Sequence, residues 1–188
     1  MLAIRAGGLM GQTRQAVSRV PPLAQRVGVE DEDLVVIGAE RLVRSLMAPG
    51  HGRDAITKWV GNDCPALFAL TLVTSELLTN GVKHADLCTK NRWLDLRLLE
   101  GSDDFCVEVT DPGSQASLPY LIPFQSKDQS ARMEGGRGLA LVDKFSKGRW
   151  ETYLVSGSNH RVVRCLISID PSEDDIGLDF DLFSGFPA

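Results

Sequence analysis

Apolar residues fall into runs of two different periods along this chain, and the periods predict its elements. The longest run, residues 66–85, repeats at helical spacing behind Pro65, a residue suited to a helix first turn. Residues 93–99 and 105–110 alternate with period two on either side of Gly101-Ser102-Asp103-Asp104, which predicts a hairpin. A second hairpin is expected from 149–155 and 162–169, joined by Ser156-Gly157-Ser158-Asn159, with a short helix over 138–145 before it. Upstream, Asp31-Glu32-Asp33 offers N-cap chemistry for a helix over 34–47, with Ile37, Arg41 and Arg44 at helical spacing and Pro49-Gly50 ending it. A short helix is expected around 55–60. The order is helix, helix, hairpin, long loop, helix, hairpin. Consecutive hairpins with helices on one face make an α/β two-layer sandwich with a mixed, mostly antiparallel sheet. The strand-helix-strand alternation of a doubly wound sheet is missing.

The domain is expected to span residues 31–170. Before it, residues 1–30 carry Gly7, Gly8, Gly11, Pro21 and Pro22 with no sustained period and read as a poorly ordered extension, with room for one short strand near 25–29. Residues 112–134 form a polar stretch with three prolines, and a connection that long is more often functional than accidental. Residues 171–188 form an acidic tail in which aromatic and acidic residues alternate around Phe180-Asp181-Leu182-Phe183.

Composition narrows the class. The 43% apolar content supplies a real core, and no apolar run reaches the roughly 18 residues that span a bilayer. The N-terminus lacks the apolar stretch of a signal peptide, so the expected location is the cytoplasm, with no membrane partner. Six acids and no base follow Ile169, which leaves the remainder of this −5 chain close to neutral and without a nucleic-acid footprint. Cys64, Cys88, Cys106 and Cys165 lie far apart and form no C-x-x-C pair, which excludes the usual zinc and dithiol motifs.

Three segments carry chemistry. In a helix, Glu76 and Asn80 project from one face, with Lys83 and His84 a turn further on. An Asn amide oxygen suits Mg²⁺, and a neighbouring carboxylate can take a proton from a hydroxyl or water. The plain alternative is a solvated polar stripe. Asp111 ends an apolar strand at Pro112-Gly113, where a carboxylate can accept from the exocyclic amine of adenine and glycine lets a base approach; the alternative is an ordinary strand-ending turn. Gly135-Gly136-Arg137-Gly138 precedes a helix at Leu139, and backbone N–H groups there can bind phosphate; the alternative is a hinge. A P-loop would need Gly-Lys-Ser or Gly-Lys-Thr, and a dinucleotide fingerprint would follow a strand.

Taken together, these segments resemble the gyrase–heat-shock-protein-90–histidine-kinase–MutL ATPase superfamily. More narrowly they are similar to the stand-alone anti-sigma factor serine kinases of the actinobacterial type. The resemblance runs over residues 34–169 and rests on three boxes. They are Thr74-Ser75-Glu76-Leu77-Leu78-Thr79-Asn80-Gly81-Val82-Lys83-His84-Ala85, Val109-Thr110-Asp111-Pro112-Gly113-Ser114, and Glu134-Gly135-Gly136-Arg137-Gly138-Leu139-Ala140-Leu141-Val142-Asp143. It implies a Bergerat-type ATP-binding fold with residues 112–134 as the ATP lid. It also implies ATP and Mg²⁺ as cofactors, with Asn80 holding the metal, Asp111 reading adenine and Gly113 lining the base pocket. Gly136, Gly138 and Leu139 would donate backbone N–H groups to phosphate, with Arg137 and Lys83 as further phosphate contacts. Glu76 would be the general base of an anti-sigma factor that phosphorylates a Ser or Thr of an anti-anti-sigma (STAS) protein and binds a sigma factor, with homodimerisation open. The rival reading is a non-catalytic, ATP-gated binding module. Two departures stand out: the first glycine box lacks the superfamily's second glycine, and Arg161-Val162-Val163-Arg164 occupies the last strand where relatives usually place a Thr.

Overall fold

The computed structural model describes residues 34–84, 92–113 and 137–172. In chain order these form β1 (Val35–Val43), α1 (Ala48–Val60), α2 (Leu67–His84), β2 (Trp93–Glu100), β3 (Asp104–Asp111), α3 (Arg137–Ser146), β4 (Trp150–Leu154) and β5 (Arg161–Ser168). The five strands make one sheet in the order β1-β2-β3-β5-β4, with every neighbouring pair antiparallel. All three helices pack on one face of it. Ala55 and Ile56 of α1, Leu70, Val73, Leu77 and Leu78 of α2, and Val142 of α3 share a single core with Leu94, Leu96 and Leu98, with Phe105, Val107 and Val109, and with Val163, Cys165 and Ile167. The fold is an α/β sandwich of two layers, as expected, with a fully antiparallel sheet among the described strands.

One element is corrected. Residues 34–47 do not form a helix: Val35–Val43 is an edge strand paired with β2 from Val35↔Glu100 to Val43↔Trp93. Val35, Val36, Ile37 and Val43 are β-branched, and the only buried positions are Gly38 and Leu42, too few for an amphipathic helix stripe. The helical spacing of Ile37, Arg41 and Arg44 joined one apolar residue to two cations, and the β2 ladder outweighs it. Arg41 instead pairs across the strands with Asp95 at 2.6 Å, opposite it in register. Pro49 opens α1 rather than ending a helix, since its missing N–H costs nothing in a first turn. The helix expected at 55–60 therefore begins at Ala48. The residue 1–30 extension, the 171–188 tail beyond Ser172, and the 112–134 lid beyond Gly113 lie outside the described residues.

Close approaches at glycine set the spacing of the layers. A bulge between Val36 and Gly38 lets the Trp59 ring of α1 lie on the Gly38 backbone, where any Cβ would overlap it. At the far end of the sheet, Arg149 makes a bidentate bond to Asp104, at 2.6 and 2.8 Å, and ties the start of β3 to the chain entering β4. Among the described residues no helix is long and apolar enough to cross a membrane. Overpacking at the Trp59 contact is expected to be expensive: Gly38→Ala should destabilise the protein by about 1–3 kcal/mol. The check is urea unfolding followed by tryptophan fluorescence; an unchanged midpoint would refute the contact.

Candidate functional site

The site is built from one helix, one strand end and one helix start. On α2, Leu70, Val73, Leu77 and Leu78 face the sheet, so Glu76 and Asn80 emerge together along the flank of the same helix, both half-buried. Lys83, one turn beyond Asn80, is exposed. The helix continues past Asn80 as Gly81, and a Cβ there would come to 3.5 Å from the Asp111 Cβ and 3.0 Å from Leu94. A bare backbone at this point lets α2 rest directly on the end of β3. That contact brings Asn80 and Asp111 to the same end of the sheet.

Asp111 ends β3 with its carboxylate folded over the turn that follows. Its Oδ1 accepts the Gly113 N–H at 2.5 Å. Gly113 has φ of +73°, and a Cβ on it would also overlap the Asn159 carbonyl oxygen of the β4–β5 turn. Two independent constraints thus demand glycine, and the first glycine box is clamped against the second hairpin. Burial raises the Asp111 carboxyl above the ordinary carboxylate range, opposed by the Gly113 N–H and then by the charges of Arg161, His160 and Arg44.

The third piece is the start of α3. Gly138 lies against Glu76 so closely that a Cβ would overlap the Glu76 Oε2, and it would sit 3.6 Å from the Glu76 Cβ. Leu139 is half-buried beside it. At the other end of the same helix pair, the Phe68 and Phe145 rings meet edge to face at 5.9 Å between centroids. Burial raises the Glu76 carboxyl as well, with Lys83 acting against the shift. Gly136 and the Arg137 side chain lie outside the described residues.

Glu76, Asn80, Asp111, Gly113, Gly138 and Leu139 therefore converge where α2, the end of β3 and the start of α3 meet. A family model described as a histidine kinase-like ATPase domain matches residues 10–149, and so covers all of them. The chain belongs to that family. No curated protein matches it in sequence. In a histidine kinase-like ATPase domain this convergence is read as an ATP site. The residues present fit a nucleotide: a half-buried carboxylate at the end of β3, glycine backbones that a Cβ would crowd, and a helix start beside them.

Four further positions shape the site and stand outside the expected set. Gly81 sets the α2–β3 distance, and a glycine inside a strongly helical run is itself a signal of close approach. Arg161 is buried and stands opposite Asp111 in register, so its charge bears directly on the Asp111 carboxylate. Asn159 acts through its backbone carbonyl, and no residue pattern announces that. His160, beside Asn159 in the same connection, lies close enough to act on Asp111.

A raised carboxyl has a consequence for stability. The folded state holds the Glu76 proton more tightly than the unfolded state, so this group's contribution is fully present below its unfolded pKa and is lost as pH rises through its folded pKa. Glu76→Gln should therefore raise the melting temperature of the ligand-free protein near pH 7.5 by about 1–3 °C, and the gain should vanish near pH 4. A variant less stable than the wild type at pH 7.5 would mean that the Glu76 charge is compensated in the fold.

Proposed function

We propose that the protein is an ATP-dependent serine/threonine kinase that regulates transcription by partner switching. It phosphorylates an anti-anti-sigma protein of the STAS type and sequesters a sigma factor when that partner is absent. The observation that carries the kinase part is the Glu76 carboxylate, held at the start of α3 by contact with Gly138 and one helical turn from Asn80. The choice of partner rests on the resemblance of the three boxes to the anti-sigma kinases.

In this reading Asp111 accepts from the adenine amine and Gly113 leaves room for the ring. The backbone N–H groups at Gly138 and Leu139 bind phosphate. The Asn80 amide oxygen is the protein ligand to Mg²⁺, which when bound neutralises phosphate charge. Glu76 accepts the proton of the partner's Ser or Thr hydroxyl as that oxygen bonds to the γ-phosphorus and the bond to the ADP oxygen breaks. Partial burial of Glu76 suits the task, since a base with a raised pKa takes a hydroxyl proton more readily.

A second reading keeps ATP binding and drops transfer. The observation in its favour is Arg161, whose buried guanidinium beside Asp111 competes for the carboxylate that would read adenine. The two readings separate in one experiment with Mg-ATP and the partner recovered by affinity capture. Glu76→Gln should keep ATP affinity within about threefold and lose phosphotransfer by about 10²-fold or more. The wild-type rate should climb with pH through an apparent pKa above that of an ordinary glutamate. Transfer by the variant at the wild-type rate would end the kinase reading. Gly138→Ala is expected to displace the Glu76 carboxylate and lower kcat at least as much as it raises KM.

A further inference from the structure

The middle of the sheet face turned away from the helices is buried, although no described element covers it, while Val36 and Arg97 towards the β1 edge are exposed. Two rows cross it in register. One is apolar: Val36, Leu99, Cys106 and Leu166. The next is charged: Arg97 to Glu108 at 3.0 Å, Glu108 to Arg164 at 3.8 Å, and Arg164 to Glu151 at 3.6 Å. On an open face the middle strands would be wet. Instead Cys106 is 0% and Leu166 1% exposed, and Glu108, Arg164 and Glu151 stay between 5% and 7%. All three described helices lie on the opposite side.

The two chain ends differ in which side they favour. Leu34, where the described chain begins, packs into the outer cluster with Leu99, Cys106 and Leu166. Ile169, just after β5, joins the helix-side core instead. The family match also begins at residue 10, so it counts the segment before Leu34 as part of the domain. That segment carries Leu23, Val27 and Val29. From Leu34, Val29 and Val27 reach up to about 17 and 24 Å in extended chain, enough to cross three to five strands spaced about 4.8 Å apart.

We propose that the segment preceding Leu34 lies across the outer face, over Cys106, Leu166 and the charged row, with Leu23, Val27 and Val29 as its apolar contacts. It is an intramolecular cover of this face. The acidic C-terminal tail and a second copy of the chain are the competing occupants.

Cys106 and Cys165 supply the test, because they sit on neighbouring strands and face opposite sides of the sheet. The full chain is alkylated with N-ethylmaleimide and each cysteine is followed by mass spectrometry. Both should be protected, and a hundredfold dilution should change neither. Val27→Asp with Val29→Asp should speed labelling of Cys106 at least tenfold and leave Cys165 protected. Ile176→Asp with Phe180→Asp should leave both protected. The cover is refuted if the first pair does not open Cys106, if the tail pair opens it, or if dilution opens it. A check independent of these charges pairs Val29→Cys with Arg97→Cys in the full chain: a short bismaleimide should join them within one monomer, and no such product counts against the proposal.

Discussion

Everything at the site depends on the approach of the α3 start to Glu76. Two helices can meet this closely only where one offers bare backbone, and Gly138 does so against the flank of α2. α2 cannot retreat, because Leu70, Val73, Leu77 and Leu78 fix it to the sheet, and Phe68 and Phe145 hold the other end of the helix pair. One helix therefore serves two masters: its apolar stripe is the core, and its neighbouring stripe is the site. Helical spacing alone puts Glu76 and Asn80 on that second stripe. What the tertiary structure adds is the start of α3 against Glu76 and, one residue past Asn80, the end of β3 against Gly81.

The same closeness sets the electrostatics. Glu76 and Asp111 are both half-buried and both hold protons more tightly than an exposed carboxylate does, with burial as the largest cause in each case. Neither group improves the stability of the ligand-free fold at neutral pH. Groups arranged at the expense of stability are what a site for a charged ligand calls for. Among the described residues, Asp111 is relieved by the Gly113 N–H and by three basic neighbours, and Glu76 by Lys83. That difference suits the roles proposed for them, a fixed acceptor for Asp111 and a proton acceptor for Glu76.

The layered architecture, and the segments that it brings together at the candidate site, were legible in the sequence because they rest on strong local signals. The α2 run, the two hairpins and the glycines before Leu139 each state their element in consecutive residues. The first strand was not legible. Its identity comes from pairing with β2, a partner fifty residues away in sequence, and the acidic run before it looked like the start of a helix. Local chemistry at Pro49 was recognised and placed at the wrong end of an element, since a proline fits both after one helix and at the opening of the next. At the site, Gly113 was expected to make room for a ligand. The structure shows that it makes room for Asn159 of its own chain, a contact between distant turns that leaves no local trace. The family match covers all three boxes, while the buried Arg161 opposite Asp111 is a feature that none of them contains.

A crystal structure of the protein with Mg²⁺ and a non-hydrolysable ATP analogue tests the central claim most directly. The account expects the adenine amine at Asp111, phosphate oxygens at the N–H groups of Gly138 and Leu139, the metal on Asn80, and the terminal phosphate next to Glu76. A nucleotide bound elsewhere on the sheet, or one whose terminal phosphate points away from Glu76, would contradict it.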